Sequence, residues 1–164
     1  MPRFNPAVAA AVLVTFGLAA CAKGPGVGAA APAFQATDTR GTVVSMGALE
    51  GKVVVLDFWA TWCAPCREAS PHVQKLHERF ADNDDVVVLA VHFDGAGDPA
   101  AYMAEHKYTF PVVPDGTDVV KIYGIKRIPT FLVIDRSGMI VHKHVGFSAP
   151  SDLDAVAHAV KRSL

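Results

Sequence analysis

The sequence is poor in cysteine and carries no surplus of either charge. Its three cysteines among 164 residues are too few for a fold held together by disulfides. The formal net charge is −1, so no basic excess indicates a nucleic acid as partner. The apolar run over residues 7–20 is too short to predict a membrane span. What the sequence does have is 51% hydrophobic residues in a length typical of one domain, enough for a substantial core.

The first 20 residues have the features of an export signal. Arg3 precedes the apolar run, and the run ends in Leu-Ala-Ala-Cys21. This ending resembles the bacterial lipobox, which implies cleavage before Cys21 and lipidation of that cysteine. An ordinary secretory signal cleaved nearby, or an uncleaved anchor, is the alternative. Residues 21–32 are rich in Gly, Ala and Pro and predict a flexible tether, which leaves residues 33–164 as the folded domain.

The most informative stretch runs from a strand into a helix. Residues 53–59 are almost entirely apolar and rich in β-branched side chains, as in a strand buried on both faces. Cys63 and Cys66 follow, and apolar residues then recur at three- and four-residue steps, which predicts a helix over residues 66–81. The cysteine pair therefore lies at the junction. Pro65 falls in the first helical turn, where its missing N–H leaves no hydrogen bond unmade.

A cysteine at the start of a helix is chemically activated. Unpaired N–H groups and the helix dipole favour the thiolate over the thiol and so lower the thiol pKa. Cys63 is therefore the predicted nucleophile of thiol–disulfide exchange, and Cys66, one turn further on, resolves the mixed disulfide. A structural disulfide or half of a zinc site is the alternative interpretation. Because zinc needs a second pair of ligands and the sequence has no further cysteine pair, we predict no metal site.

Two motifs carry a resemblance to a known family. The segment Asp57-Phe-Trp-Ala-Thr-Trp-Cys-Ala-Pro-Cys66, followed five residues later by Pro71, resembles the active-site segment of thioredoxin-like proteins. Tyr123-Gly-Ile-Lys-Arg-Ile-Pro129-Thr resembles the segment that carries the cis-proline of that family. The likeness covers residues 34–160.

The resemblance implies where a substrate binds. A cis bond before Pro129 would leave the backbone of Ile128 exposed beside the nucleophile, where a strand of the substrate can pair. Trp62, Ala64 and Pro65 surround the nucleophile in the sequence and complete the implied docking surface. From the residues alone, Pro129 would be assigned a trans bond, because only about 5–6% of such bonds are cis.

The resemblance also implies an α/β fold of the thioredoxin-like type, with three layers, a central mixed sheet and flanking helices. Before the cis-proline segment, Asp98 predicts the N-cap of a helix that ends near residue 107, and residues 110–113 predict a short strand. Thioredoxin itself lacks this helix–strand insert. The chain therefore most resembles the TlpA/ResA branch, whose members are tethered to a membrane and face the cell envelope. Ser148 or Ser151 is predicted to cap the last helix.

Asp57 interrupts the core strand with a carboxylate. Burial of an unpaired carboxylate is unfavourable and raises its pKa. A place at an exposed strand end, or a neighbouring N–H as partner, is the alternative. The matching residue of thioredoxin is a buried acid that helps to deprotonate the resolving cysteine, which implies that Asp57 accepts the proton of Cys66. Thioredoxin also has a lysine near that acid, and the corresponding residue here is Ala90.

The resemblance implies a disulfide reductase on the periplasmic side of the cell envelope. Ala64-Pro65 stand between the cysteines, without the histidine that stabilises the thiolate of strong oxidants, which favours a reducing couple. The implied partners are disulfides of exported proteins, as in cytochrome c maturation or copper-site assembly, and a membrane-embedded thiol reductant as electron donor. We expect a monomer that is anchored to the membrane through lipid and has no bound cofactor.

Three other activities stay open at this point. A disulfide-forming oxidant would use the same two cysteines in the opposite direction. A Cu(I) chaperone would use Cys63 and Cys66 as soft ligands, but no Met- or His-rich tract supports it. A peroxidase is the third, although peroxiredoxins carry their reactive cysteine outside this Trp-Cys-x-x-Cys context.

Overall fold

The computed structural model describes residues 24–164, in which strands and helices alternate along the chain. The elements in chain order are β1 (Gln35–Thr37), β2 (Val43–Ser45), a 3-10 turn (Gly47–Leu49), β3 (Val53–Trp59), α1 (Ala64–Arg79), β4 (Val86–His92), α2 (Pro99–His106), β5 (Val112–Val113), α3 (Thr117–Ile122), β6 (Thr130–Ile134), β7 (Ile140–Val145) and α4 (Ser151–Ser163).

The core of the fold is a mixed sheet of five strands in the order β5-β4-β3-β6-β7. The first three of these strands run parallel, and β6 and β7 are antiparallel to their neighbours. All seven residues of β3 are buried, as expected for a continuous apolar run in a strand covered on both faces. This arrangement confirms the predicted α/β class with a central mixed sheet. β1 and β2 form a separate two-stranded hairpin.

Alternate residues of β3 supply two hydrophobic cores, one on each face of the sheet. On one face, Val53, Val55 and Trp59 pack with apolar residues of α1, α2 and α4. On the other face, the remaining apolar residues of β3 pack with α3 and with the segments around β1 and β2. The sheet is therefore the middle of three layers, and a side chain on β3 faces α1 when its residue number is odd.

The helix that follows the cysteines is confirmed, with bounds that differ from the prediction. α1 begins at Ala64 and ends at Arg79, whereas the sequence predicted residues 66–81. It begins earlier because the side chain of Cys63 serves as its N-cap, so that both residues between the cysteines belong to the first turn. Pro71 lies inside the helix, as predicted.

The predicted insert between β4 and β6 is present as α2 and β5. The carboxylate of Asp98 accepts a hydrogen bond from the Ala101 N–H at 2.9 Å, which confirms the predicted N-cap. The predicted serine cap of the last helix is wrong, because neither Ser148 nor Ser151 caps it through a side chain. Instead the carboxylate of Asp152, inside the first turn, accepts the N–H of Ser148 at 2.8 Å.

The segment that precedes β1 pairs with the beginning of β7. The Gly28 N–H donates to the carbonyl of Ile140 at 2.8 Å, and the Ala31 N–H donates to the carbonyl of Gly138 at 2.8 Å. The flexible tether predicted over residues 21–32 is therefore wrong for its second half, and the folded part begins before residue 33. The reason is that the open edge of β7 offers backbone groups that any sequence can pair with.

The described residues contain no helix with the length and apolar composition needed to cross a membrane. The predicted signal segment and Cys21 lie outside the described residues.

Candidate active site

Cys63 and Cys66 lie at the start of α1, just beyond the end of β3, and are joined in a disulfide with an S–S distance of 2.09 Å. Cys63 has an extended backbone and its Sγ accepts a hydrogen bond from the Cys66 N–H at 3.3 Å. The nucleophile predicted from the sequence is thus the N-cap of α1. Pro65 stands in the first turn, as predicted.

This position favours a thiolate on Cys63 when the disulfide is reduced. The free N–H groups of a helix terminus carry partial positive charge, and the Cys66 N–H already points at the sulfur. The first turn of α1 contains no acidic residue to oppose this effect. Both features favour the thiolate form of a cysteine, as the predicted role of Cys63 as nucleophile requires.

Both cysteines are buried, and Cys63 is slightly the more exposed of the two. Cys63 keeps 5% of its residue surface accessible and Cys66 keeps 2%. Trp62, Ala64 and Pro65 are exposed around Cys63, with 55% of the Trp62 surface accessible. The structure therefore places these three predicted docking residues on the surface next to Cys63.

The predicted cis-proline segment reaches the same end of the sheet. The Ile128–Pro129 peptide bond is cis, as the resemblance implied. Thr130, the next residue, lies opposite Phe58 in the pairing of β6 with β3, which puts Pro129 level with the end of β3 and near the cysteine turn. Ile128 is partly buried and packs against the apolar residues on both faces of the sheet.

Asp57 is buried beneath α1. It shares its face of β3 with Val55 and Trp59, and these residues pack with the core that contains Cys66. Burial raises the pKa of the Asp57 carboxyl from 3.8 to about 8. Its Oδ1 has no hydrogen-bond partner among the described residues. Ala90 lies opposite it on β4. This residue, predicted to stand where thioredoxin has a lysine, carries no positive charge that would lower the pKa of Asp57.

The structure adds two polar residues that the sequence did not assign to the site. His92, fully buried at the end of β4, accepts the Thr61 N–H on its Nε2 at 3.3 Å. The indole N–H of Trp62 donates to Asp94 Oδ1 at 3.2 Å. These contacts hold the two residues before Cys63 against the end of β4. Residues after β4 reach this edge of the sheet because β3 and β4 are parallel, and the sequence pattern did not show which of them make contact.

No group of three or more His, Cys, Asp and Glu residues in the described part is arranged to hold a metal ion. The cysteine pair is the one soft donor set of the site, and in the disulfide form its sulfurs are not the thiolates that bind soft metals. The chemistry that this geometry supports directly is two-electron exchange between a dithiol and a disulfide.

The model of the AhpC/TSA family matches residues 27–143. Among curated relatives, the thioredoxin-like protein YneN of Bacillus subtilis is 33% identical over 131 residues, which cover 77% of this chain and 76% of that protein. The thiol-disulfide oxidoreductase ResA of Bacillus cereus is 31% identical over 130 residues, with 78% of this chain and 75% of that protein covered.

Solved structures agree with these relatives. A Chlorobium tepidum protein assigned as a thiol:disulfide interchange protein DsbE superposes with a TM-score of 0.75 and 34% identity, over 84% of this chain and 97% of that one. The exposed lipoprotein thioredoxin Etrx1 of Streptococcus pneumoniae has a TM-score of 0.64 and 27% identity, over 77% of this chain and 98% of that one. The chain therefore belongs to the thioredoxin-like AhpC/TSA family and is a thiol-disulfide oxidoreductase of the ResA/DsbE type.

Proposed function

We propose that the chain reduces disulfides of exported proteins, with Cys63 as nucleophile and Cys66 as resolving residue. The observation that carries the proposal is the place of Cys63 as N-cap of α1, with its sulfur accepting the Cys66 N–H. The Cys63 thiolate attacks one sulfur of the target disulfide and releases the first target thiolate. The Cys66 thiolate then attacks Cys63 and releases the second, so two electrons pass to the target and the chain ends as the disulfide.

Asp57 is the proposed acceptor of the Cys66 proton. Its carboxyl lies beneath α1 on the face of β3 that packs with Cys66. With a pKa of about 8, it is close to the value of about 8.5 for a free cysteine thiol. A base whose pKa is matched to that of the donor and to the working pH transfers a proton efficiently. The acid can then return the proton to solvent or to the released product.

Trp62, Ala64 and Pro65 on one side, and Ile128 and Pro129 on the other, form the proposed docking surface for the target. Support comes from the exposure of the first three residues and from the cis bond that presents Ile128 at the same end of the sheet. An extended segment of the target would form backbone hydrogen bonds with Ile128, as an added β-strand does.

The proposed direction is reduction, because Ala64 and Pro65 offer no charged group that would stabilise the Cys63 thiolate as strongly as in an oxidant. An oxidising compartment would return the pair to the disulfide after each cycle. The chain therefore needs an electron donor, which we propose is a membrane-embedded thiol reductant. Targets of the stated chemistry are the cysteines of apocytochrome c, which must be thiols for haem attachment, and those of copper sites.

The proposed location is the periplasmic side of the envelope, with lipid on Cys21 as anchor and the chain as a monomer. The lipobox-like ending before Cys21 supports the anchor. The similarity to Etrx1, whose name describes an exposed lipoprotein, is consistent with it. Stable anchoring takes more than one acyl chain, which a fully acylated N-terminus supplies.

Trapping of the mixed disulfide tests the proposed function. In cells, the Cys66→Ser chain should accumulate covalent complexes between Cys63 and exported proteins that contain cysteine pairs, and reductant should release them. Cys63→Ser is the matched control and should trap none, because it keeps one cysteine but loses the nucleophile. Equal trapping by both variants would contradict the assigned roles. Tight Cu(I) binding by the reduced parent chain, without any disulfide turnover, would favour the copper-chaperone alternative.

A further inference from the structure

A basic groove lies at the end of β7, outside the cysteine site. Its lining contains three cations, Lys126, Arg127 and Lys143, together with Ile125 and Val145, and its volume is about 250 Å³. All three cations are exposed, and none forms a salt bridge within residues 24–164. No carboxylate lines the groove. We refer to this feature as the basic groove.

The charge of the groove is opposite in sign to the net charge of the domain. Arg3 and Lys23 are the only charged residues before residue 24, and removing these two cations from the net charge of −1 leaves residues 24–164 at −3. Three unpaired cations side by side on such a domain repel one another and gain no local partner. Their arrangement therefore indicates an external anionic surface.

The basic groove lies at the active-site end of the sheet. Val145, in its lining, pairs with Thr130, the residue after the cis-proline. The Gly146 N–H donates to the carbonyl of Pro129 at 2.8 Å. A surface that contacts the groove therefore also approaches the docking residues around Cys63.

The N-terminal segment leaves the domain next to this groove. Gly28 pairs with Ile140 at the start of β7, and four residues earlier Gly24 packs so closely on Tyr123 and Gly124 that a Cβ on either glycine would clash with the other. Gly124 is itself part of the groove lining. The chain from Cys21 to Gly24 spans at most about 11 Å when it is extended. A lipid on Cys21 would thus hold a membrane close to the groove.

Exposed apolar side chains occur in the groove and within three residues of Gly24 and Gly124, and they favour a lipid surface over an acidic protein. Val145 is 40% exposed, Ile122 at the end of α3 is 45% exposed, and Val27 in the N-terminal segment is 61% exposed. Cations combined with exposed apolar side chains are the composition of surfaces that lie in the headgroup region of a bilayer.

We propose that the basic groove binds the anionic phospholipid headgroups of the membrane that carries the chain, and so turns the active-site end toward that membrane. The nearness of the membrane rests on the anchor at Cys21 put forward under the proposed function. The orientation brings Cys63 toward the depth at which a membrane-embedded thiol reductant presents its own cysteines. Binding to anionic headgroups weakens as salt screens the charges.

The test holds the domain on vesicles by a means that does not depend on lipidation. The Chlorobium tepidum structure consists almost entirely of the matched part, with 97% of that chain covered, so residues 24–164 fold as a domain. A histidine tag placed directly before Gly24 attaches this domain, with its Cys63–Cys66 disulfide intact, to vesicles that contain a nickel-chelating lipid. A fluorophore on Val145→Cys reports contact through quenchers carried by the lipids. The same fluorophore on Asp84→Cys, at the opposite end of β4, is the control.

On vesicles with about 30% phosphatidylglycerol, quenching at position 145 should exceed that at position 84 by at least about threefold. The excess should disappear on vesicles of phosphatidylcholine and in about 0.5 M salt. Each basic residue near an anionic surface strengthens binding by about fivefold. The variant Lys126→Gln/Arg127→Gln/Lys143→Gln should therefore occupy the docked orientation about one hundredfold less and lose the excess quenching.

A second triple variant, Lys75→Gln/Lys161→Gln/Arg162→Gln, removes the same charge from exposed positions on α1 and α4 and should keep the excess. Equal quenching at both probes, or equal loss in both triple variants, would overturn the proposal. A response of the Val145→Cys probe to soluble polyglutamate but not to anionic vesicles would assign the groove to an acidic protein instead. Because the tag replaces the lipid and the disulfide stays closed, none of these outcomes depends on the redox function or on lipidation of Cys21.

Discussion

Replacement of Asp57 by asparagine should change how the stability of the oxidised protein depends on pH. Burial raises the pKa of this carboxyl from 3.8 to about 8 in the folded chain. Between these two values the folded state keeps a proton that the unfolded state has released. The folded state therefore binds more protons than the unfolded state, and stability falls as pH rises. The asparagine side chain has nearly the same shape as the protonated acid and does not titrate.

The size of the effect follows from the shift. One unit of pKa corresponds to about 1.4 kcal/mol, so the shift from 3.8 to about 8 destabilises the parent by about 6 kcal/mol once the pH exceeds both values. At pH 7 the contribution is about 4 kcal/mol. The free energy of unfolding of Asp57→Asn minus that of the parent should therefore grow by about 1.4 kcal/mol per pH unit from pH 5, and level off near pH 8.

Denaturation by urea of both oxidised proteins from pH 5 to 9 measures this difference. The disulfide keeps Cys63 and Cys66 from titrating, and any constant offset between asparagine and the protonated acid drops out of the slope. Asp118→Asn, at an exposed carboxylate on α3, controls for the loss of one negative charge. A difference that stays constant over this range would refute the reasoning, because it would mean that Asp57 is ionised in the fold as readily as in the unfolded chain.

Three further predictions concern contacts around the site. Gly24→Ala should lower the free energy of unfolding by about 1–3 kcal/mol, because the new Cβ would clash with the Tyr123 carbonyl. Gly26→Ala is the control and should leave the free energy of unfolding unchanged, because the space around Gly26 is open. Thermal denaturation compares the two variants. His92→Leu leaves the Thr61 N–H without its acceptor and should lower the free energy of unfolding by about 1–3 kcal/mol in the same assay. The rate at which the second product thiol is released, measured by stopped-flow mixing, should rise with pH up to about pH 8, since only the ionised carboxyl of Asp57 accepts a proton. Asp57→Asn should lose this pH dependence. An unchanged pH profile in the variant would exclude Asp57 as the base.

The local parts of the site follow from the sequence. The apolar run of β3, the cysteine pair and the periodic helix after it define a strand–turn–helix unit without any distant contact, and the structure has this unit with Cys63 as the N-cap. Asp57 was expected to be buried because it stands within that run, and it is. The cis bond at Pro129 could be inferred only from the family resemblance, because isolated sequence preference favours trans.

The parts that the sequence did not show depend on distant segments. Pairing of residues near Gly28 with β7 uses backbone groups alone, so a Gly- and Ala-rich stretch gave no sign of it. The contacts of His92 and Asp94 with the cysteine loop arise from the parallel alignment of β3 and β4, which places residues 31 or 32 positions apart in contact. The serine cap failed because the hydroxyl of Ser148 donates to the carboxylate of Asp152 and accepts no helical N–H. The same carboxylate accepts the N–H groups of Ser148 and Ala149, which precede the helix.

The reduction potential of the Cys63–Cys66 couple tests the central claim most directly. The domain of residues 24–164 would be equilibrated in thiol/disulfide buffers, and the fraction of disulfide would be measured by alkylation and mass. A potential at or below about −230 mV, toward that of thioredoxin, is the result that a disulfide reductase recharged from the membrane requires. A potential near about −120 mV would contradict the account and would make the chain an oxidant that introduces disulfides into exported proteins.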